Sequence, residues 1–189
     1  MRYFLGILIG LGLVVLVIVL IVKSLGSGKH EVLRQIDLPS YAGTNAVAQL
    51  VIDAPINADQ THRTVKISVS QSQTEIDIIQ GYQGNVVNSQ TFPNSQPGFA
   101  VFLKALQNYG FNKGNSDPTK GDERGVCAIG DRYIYSLTSG GGTVMRYWST
   151  SCGGQGTFGG RADVIRRLFL RQIPEQQLTQ LTGNIPLGG

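Results

Sequence analysis

The two cysteines, Cys127 and Cys152, have the most specific chemistry in this chain. Three states are open to them: a structural disulfide, two buried thiols, or a nucleophilic thiolate on one of them. Each state implies a different location, because disulfides persist in oxidising compartments whereas thiols persist in the reducing cytoplasm. The residues between the two cysteines help to decide which state the sequence favours.

A β-hairpin predicted between the cysteines favours the disulfide. Residues 132–138, RYIYSLT, and 143–150, TVMRYWST, flank a glycine-rich turn, SGGG. With the turn centred on Gly140 and Gly141, an ideal register places the cysteines two residues away from directly opposite one another. A bulge at Gly130 and Asp131 would bring them within reach of a bond that stabilises the fold by about 3 kcal/mol.

Thiol catalysis is the alternative interpretation. Cys152 follows the second hairpin segment, Arg161 lies downstream, and His62 lies far upstream between two predicted strands, where it reads as a turn residue. The three residues are similar to the Cys, His and Arg set of sortases, in which His and Arg support a thiolate that attacks a peptide bond. The glycine-rich run and predicted helix after Cys152 differ from the strand expected in that family.

No other set of residues predicts a catalytic, metal or cofactor site. Four metal-ligand side chains, Cys127, Cys152, His30 and His62, stand at unrelated spacings. The carboxylates form no recognised acid and base spacing, and Asp122 and Glu123 are expected to be solvated loop charges. We therefore expect no metal and no cofactor, and an enzyme is the less favoured class.

The charge distribution disfavours nucleic-acid binding. The formal net charge is +4, but from residue 35 onward twelve Lys and Arg face eleven Asp and Glu. The excess comes from four residues near the N-terminus: Arg2, Lys23, Lys29 and Arg34. A nucleic-acid-binding domain usually carries clustered positive charge, so we expect no nucleic-acid partner.

An apolar run predicts a membrane anchor. Residues 3–22 contain no charge and lie between Arg2 and Lys23, and a helix of that length spans a bilayer core of about 30 Å. The run is longer than the core of a cleaved signal peptide. The sequence thus predicts an anchor over 1–23, a linker over 24–44, a domain over 45–183 and a tail over 184–189, with residues 3–22 in contact with the membrane.

Two signals disagree about the side of the membrane on which the domain lies. Positive charge is heavier after the apolar run, which favours a cytoplasmic domain. A disulfide favours an extracytoplasmic one. We give the disulfide more weight and predict a single-pass cell-membrane protein with its C-terminal domain outside the cytoplasm.

The elements that would position these residues belong to an α+β fold. Period-two alternation predicts strands over 46–54, 64–70, 75–80 and 85–92, with the hairpin segments in addition. Apolar residues at spacings of three and four predict helices over 97–109, 161–173 and 174–181. The short spacings between strands imply antiparallel neighbours, so we expect a sheet of about five to seven strands covered by two main helices.

The hairpin also supplies a candidate binding surface. Its aromatic residues are Tyr133, Tyr135, Tyr147 and Trp148, which could line a surface or lie in the core. The long polar loop 112–125 precedes them. The favoured function is a non-enzymatic interaction or assembly module of the cell envelope that presents these residues to a protein partner. The alternative is a sortase-like peptidase or transpeptidase using Cys152, His62 and Arg161.

Several short motifs carry a resemblance to a family. In order, GYQGN, FLKALQNYGF, GVCAIGDRYIYSL, RYWSTSCG and LFLRQIP span roughly residues 45–175. With them, the chain resembles a group of single-span membrane-anchored proteins from candidate-phyla bacteria, Saccharibacteria among them. The resemblance implies an anchor, an exported domain and paired cysteines, and it implies no activity and no catalytic residues.

Overall fold

A computed structural model describes residues 36–115, 117–154 and 156–183, which fold into an α+β domain. Its strands are β1 (Val47–Asp53), β2 (Arg63–Ser70), β3 (Gln73–Gln80), β4 (Asn85–Pro93), β5 (Arg132–Ser139) and β6 (Gly142–Thr150). Its helices are α1 (Gln96–Asn108), α2 (Ala162–Leu170) and α3 (Glu175–Thr182), with short 3₁₀ helices at Leu38–Tyr41 and Pro118–Lys120.

The six strands form one antiparallel sheet in the order β4-β3-β2-β1-β5-β6. The first four strands follow one another as a meander, and the β5–β6 hairpin is added on the far side of β1. In β1, Leu50 therefore lies opposite both Ile67 and Tyr135. This topology makes β1 a central strand and leaves β4 and β6 as the two edges.

The core lies on one face of the sheet because side chains alternate along each strand. In β1, Ala48, Leu50 and Ile52 are buried, while the residues between them are partly exposed. The same alternation in the other strands adds apolar side chains to this face, and α1 and α2 cover it. The opposite face is polar.

Helix α1 begins and ends at residues suited to those positions. The Ser95 hydroxyl accepts a hydrogen bond from the Gly98 amide at 3.2 Å, and Pro97 occupies the first turn. After the helix, Gly110 has a φ of 82°, which favours glycine. Phe102 of α1 packs edge to face against Phe169 of α2, with ring centroids 5.1 Å apart.

The prediction of an α+β fold with an antiparallel sheet is confirmed, and the boundary of the domain needs correction. Residues 36–44, assigned from sequence to the linker, pack against the core. Leu38 is fully buried, and its amide donates to the Gln107 side chain at 2.6 Å. The Asn112 side-chain amide donates to the Ile36 carbonyl at 2.7 Å. The few apolar residues of 36–44 are too widely spaced to show a period, which is why the sequence left them in the linker.

The predicted membrane anchor, residues 3–22, lies outside the described residues, as do the rest of the segment 1–35 and the tail 184–189. Among the helices that the structure does describe, none combines the length and the apolar character needed to cross a membrane.

Candidate functional site

The disulfide between Cys127 and Cys152 is present, with the two Cα atoms 5.8 Å apart. Cys127 does not belong to a strand; it lies in a turn that closes with a hydrogen bond from the Gly130 amide to the Cys127 carbonyl, at 3.1 Å. Gly130 fits here because a Cβ at this position would collide with Ser151 and with the Cys127 sulfur. The prediction of a Cys127–Cys152 bond is confirmed.

The hairpin that brings the cysteines together has the predicted turn and one irregularity. Ser139 pairs with Gly142, and further along Tyr133 pairs with Ser149, with a register shift between Leu137 and Thr138. The bulge therefore lies near the turn and not at Gly130 and Asp131. Beyond the strands, the Asp131 amide donates to the Ser151 hydroxyl at 2.8 Å, which extends the pairing towards Cys152.

A charged cluster closes the end of the sheet where β1 ends and β2 and β5 begin. Asp53, the last residue of β1, lies opposite both Thr64 and Arg132. Its carboxylate accepts hydrogen bonds from Arg132 Nε and Thr64 Oγ1, both at 2.9 Å, and lies 2.8 Å from His62 Nε2. Arg132 also donates to the Ala54 carbonyl. Because Arg132 is 3% exposed, Asp53 supplies the counter-charge for a buried guanidinium.

His62 lies at the end of the turn between β1 and β2, where its amide donates to the Ala58 carbonyl at 2.9 Å, and its side chain belongs to this cluster and is 1% exposed. The Nε2 atom of His62 lies 2.8 Å from the Asp53 carboxylate, and its Nδ1 atom lies 3.3 Å from the Pro55 carbonyl oxygen. Both oxygens are hydrogen-bond acceptors. A protonated His62 ring can therefore donate to both of them, whereas a neutral ring has one N–H and can donate to only one. The ring stacks on Tyr82 at 4.2 Å, and the Tyr82 hydroxyl donates to the Asn57 carbonyl. His62 thus holds the β1–β2 connection in place.

The three residues of the thiol-enzyme alternative have separate partners. Cys152 is bonded to Cys127 and His62 to Asp53. Arg161 precedes α2, is exposed, and places its guanidinium 5.6 Å from the centroid of the Tyr109 ring. In the described part of the chain, no hydrogen bond or ion pair joins Cys152, His62 and Arg161 to one another.

The aromatic residues predicted as a binding surface are buried instead. Their exposed fractions are 4% for Tyr133, 0% for Tyr135, 7% for Tyr147 and 4% for Trp148. The tyrosines point to the helix-covered face, where Tyr135 stacks on Phe158 with centroids 4.0 Å apart. Burial raises the pKa of the Tyr135 hydroxyl to about 12, and that hydroxyl lies 3.2 Å from Ser149 Oγ.

Arg166 of α2 carries a charge that is buried in the fold. It is 7% exposed, and its guanidinium lies 4.9 Å from the centroid of the Tyr133 ring. The Tyr133 hydroxyl donates to Asp131 at 3.1 Å, and burial together with that carboxylate raises the pKa of Tyr133. The cation is thus held over an aromatic face inside the fold.

The polar loop 112–125 covers the edge strand β6. The Trp148 indole N–H donates to the Lys120 carbonyl at 2.7 Å. Arg146 donates to the Gly121 carbonyl at 3.0 Å and forms an ion pair with Glu123 at 2.6 Å. The loop therefore buries Trp148 on the polar face of the sheet and has a structural role there.

A second segment, residues 156–158, pairs with the backbone of β6 near the end of the strand. The amides of Thr157 and Phe158 both donate to the Trp148 carbonyl at 2.9 Å, and Ser149 forms an isolated bridge with Gly156. Gly156 has a φ of 131°, and a Cβ there would collide with the Trp148 carbonyl. The backbone of β6 is thus already paired at this point.

The opposite edge, β4, is uncovered. Its sequence, NVVNSQTFP, holds no charge, and seven of its nine residues are exposed, with Val86 and Val87 each 53% exposed. Among the described residues, the backbone of β4 bonds only to β3. Val87 forms a bulge, and Asn88–Pro93 keep a regular register with β3.

Among the described residues, no three His, Cys, Asp or Glu side chains come together in a way that could hold a metal ion. A groove between α2 and α3, with a volume of about 440 Å³, is lined by apolar side chains and by Arg167, Arg171 and Glu175. The exposed acid Asp163 pairs with Arg167 at 2.8 Å, which lowers its pKa.

Comparison with known proteins adds no family to this geometry. No protein-family model matches the chain, and no curated protein matches it. The resemblance to single-span proteins of candidate-phyla bacteria stays a prediction.

Few signals in the sequence point to the Asp53, His62 and Arg132 cluster. Its members are spread over about eighty residues and meet only because β1 lies between β2 and β5. One signal was present: Asp53 is the next-to-last residue of the predicted strand 46–54, and Arg132 is the first residue of the predicted strand 132–138.

Proposed function

We propose that this chain is a single-pass membrane protein whose α+β domain lies outside the cytoplasm and acts as a non-enzymatic interaction or assembly module of the cell envelope. The apolar run 3–22 supports the anchor. The observation that carries the location is the Cys127–Cys152 disulfide, because such bonds persist in oxidising compartments.

A binding role is supported by the way in which the reactive side chains are used. The two cysteines are joined to each other, and the buried histidine and arginine are bonded to Asp53. Free polar backbone, by contrast, is available along β4. A module that works through its surface needs an accessible edge or patch and no activated nucleophile.

The peptidase alternative requires a thiolate on Cys152. That thiolate does not exist while the disulfide is closed, and His62 is bonded elsewhere. A peptide-cleaving activity that disappears in Cys152→Ala while the fold stays intact would contradict the non-enzymatic proposal.

The location is tested by alkylation of the full chain in intact cells with a membrane-impermeant maleimide, read by mass spectrometry. Val101, which is 71% exposed on α1, is replaced by cysteine to provide a free thiol away from the disulfide. We expect Val101→Cys to be labelled without lysis, and Cys127 and Cys152 only after reduction. Labelling of Val101→Cys only after lysis would place the domain in the cytoplasm and contradict the proposal.

A further inference from the structure

We infer that β4 pairs in antiparallel fashion with β4 of a second copy of this chain, so that two six-stranded sheets become one. This inference adds a partner, a second copy, to the proposed function. It rests on that function in one respect, because a shared membrane would hold the two copies near one another. The partner surface is the outward-facing edge of Asn88–Pro93, the part of β4 with regular register.

The first argument is the unpaired backbone. Alternate residues of an edge strand direct their N–H and C=O groups away from the sheet, and a strand can add to them. In β4 these groups have no partner among the described residues, whereas β6 is bonded at Trp148. Among the described residues, β4 is therefore the edge that offers the longer stretch of free backbone for strand addition.

The second argument is charge. Proteins commonly protect an edge strand with lysine or with charges that point inward. The nine residues of β4 carry no charge at all. Two copies of this strand can meet without placing like charges opposite one another, which an antiparallel pair around a two-fold axis would otherwise impose.

The third argument is closure. A molecule with two free edges would assemble without limit, because each added copy presents a new edge. Here residues 156–158 pair with the backbone of β6 at Trp148 and Ser149, and loop 112–125 contacts the side chains of Arg146 and Trp148, so β6 is partly covered. Pairing through β4 uses the uncovered edge of both copies and therefore favours a dimer over an open series of copies.

The bulge at Val87 limits where pairing takes place. Bulges twist an edge strand and interrupt its ladder, so the start of β4 is a poor template. The regular stretch that follows begins at Asn88, and its side chains Ser89 and Thr91 are exposed. Thr91 therefore lies in the middle of the inferred interface.

The test uses purified full chain in phospholipid vesicles, with a photoreactive benzoylphenylalanine in place of one threonine. Thr91 of β4 is compared with Thr143 of β6, since both are exposed threonines on edge strands. We expect the probe at Thr91 to give a covalent dimer with the crosslink in residues 85–93 of the other copy. The probe at Thr143 should give none. Equal yields at both positions, or no dimer from Thr91, would overturn the inference.

A second variant separates β4 pairing from association through the anchor. With the probe at Ser89, which is exposed within the regular stretch, Thr91→Lys should lower the dimer yield about fivefold, because it places like charges across the two-fold axis. Thr143→Lys adds the same charge to the other edge and should leave the yield unchanged. Urea unfolding midpoints within error of the parent chain would show that both variants fold. An unchanged yield in folded Thr91→Lys would contradict pairing through β4.

The crosslinking is repeated in the native membrane to identify any other occupant. A Thr91 product that contains a different protein would mean that the edge binds a foreign strand, and self-pairing would be wrong. The vesicle measurement does not depend on the side of the membrane, because only purified chain is present. If the domain proved to be cytoplasmic but still dimerised in vesicles, the proposed extracytoplasmic function would be wrong and the inferred β4 pairing would stand.

Discussion

The two edge strands of the sheet have nine residues each and differ in how far the rest of the domain covers them. Strand β6 is covered by loop 112–125, paired with residues 156–158 and tied at its end by the disulfide. Strand β4 has seven exposed residues, no charge and no partner beyond β3 among the described residues. In the described residues, one edge of the sheet is thus partly covered and the other is uncovered.

This difference separates stability from binding. The interactions that resist unfolding, namely the disulfide and the Asp53 cluster, involve β1, β5, β6 and their connections. The edge that offers free hydrogen-bonding groups lies at the far end, beyond β2 and β3. Changes on the β6 side should therefore lower the free energy of unfolding, whereas changes at the β4 edge should leave it unchanged.

The largest effect is expected for Asp53→Ala. It leaves the buried Arg132 guanidinium without its counter-charge and removes the carboxylate that bonds His62, so the free energy of unfolding should fall by roughly 3–5 kcal/mol. Urea unfolding followed by Trp148 fluorescence measures it. The control, Asp163→Ala, removes one partner of an exposed ion pair and should leave the midpoint within error. Similar midpoints for both variants would refute the role of the cluster.

The second effect is loss of the disulfide. The double variant Cys127→Ala with Cys152→Ala should lower the free energy of unfolding by about 3 kcal/mol, because the unfolded chain loses a crosslink that closes a loop of 25 residues. The same urea titration, with and without reductant, provides the measurement. Reductant should reproduce the loss in the parent chain and have no effect on the double variant. A parent chain insensitive to reductant would contradict this account.

The third effect appears at alkaline pH. Burial raises the pKa of Tyr135 to about 12 in the folded chain, above its ordinary value near 10. The neutral phenol therefore contributes stability that is complete below pH 10 and is lost as pH rises through 12, by about 3 kcal/mol in total. Unfolding free energies at several pH values should fall less steeply in Tyr135→Phe. Parallel pH profiles for the two proteins would show that Tyr135 is not the group responsible.

The smallest effect is expected at the uncovered β4 edge. Thr91→Lys changes an exposed edge residue that lies opposite Glu75 of β3, and an exposed cross-strand ion pair contributes little, so the free energy of unfolding should change by less than about 0.5 kcal/mol. Thermal unfolding at low protein concentration is the measurement, because dilution keeps the chains apart. If Thr91→Lys lowered the free energy of unfolding as much as the disulfide variant does, the two edges would not differ in their contribution to stability.

Much of the fold was predictable because its signals are local. Alternation in 64–70 and 75–80 and the glycine-rich turn at 139–142 predict strands that the structure places within two residues of those bounds. The spacing of Phe99, Phe102 and Leu106 predicts α1 in the same way. Local patterns of this kind depend on side-chain periods of two and 3.6 residues, which a single sequence contains.

The site was less predictable because its signals are distant. The sequence left open whether Tyr133 and Trp148 line a surface or lie in the core, and in the structure α2 covers the first and a loop with no apolar residues covers the second. Hydrogen bonds from Trp148 and Arg146 to loop carbonyls hold that loop, and no periodicity reveals them. The disulfide was the exception, since the hairpin turn places its two cysteines close together.

The most direct test of the two-edge account is amide hydrogen exchange of the full chain in detergent micelles, measured at several protein concentrations. We predict that peptides covering 142–150 exchange slowly at every concentration. Peptides covering 85–93 should exchange fast when the chain is dilute and slow down as its concentration rises, because about half of their amides face outward until a second copy pairs with them. Equal protection of both edges at the lowest concentration would contradict the account.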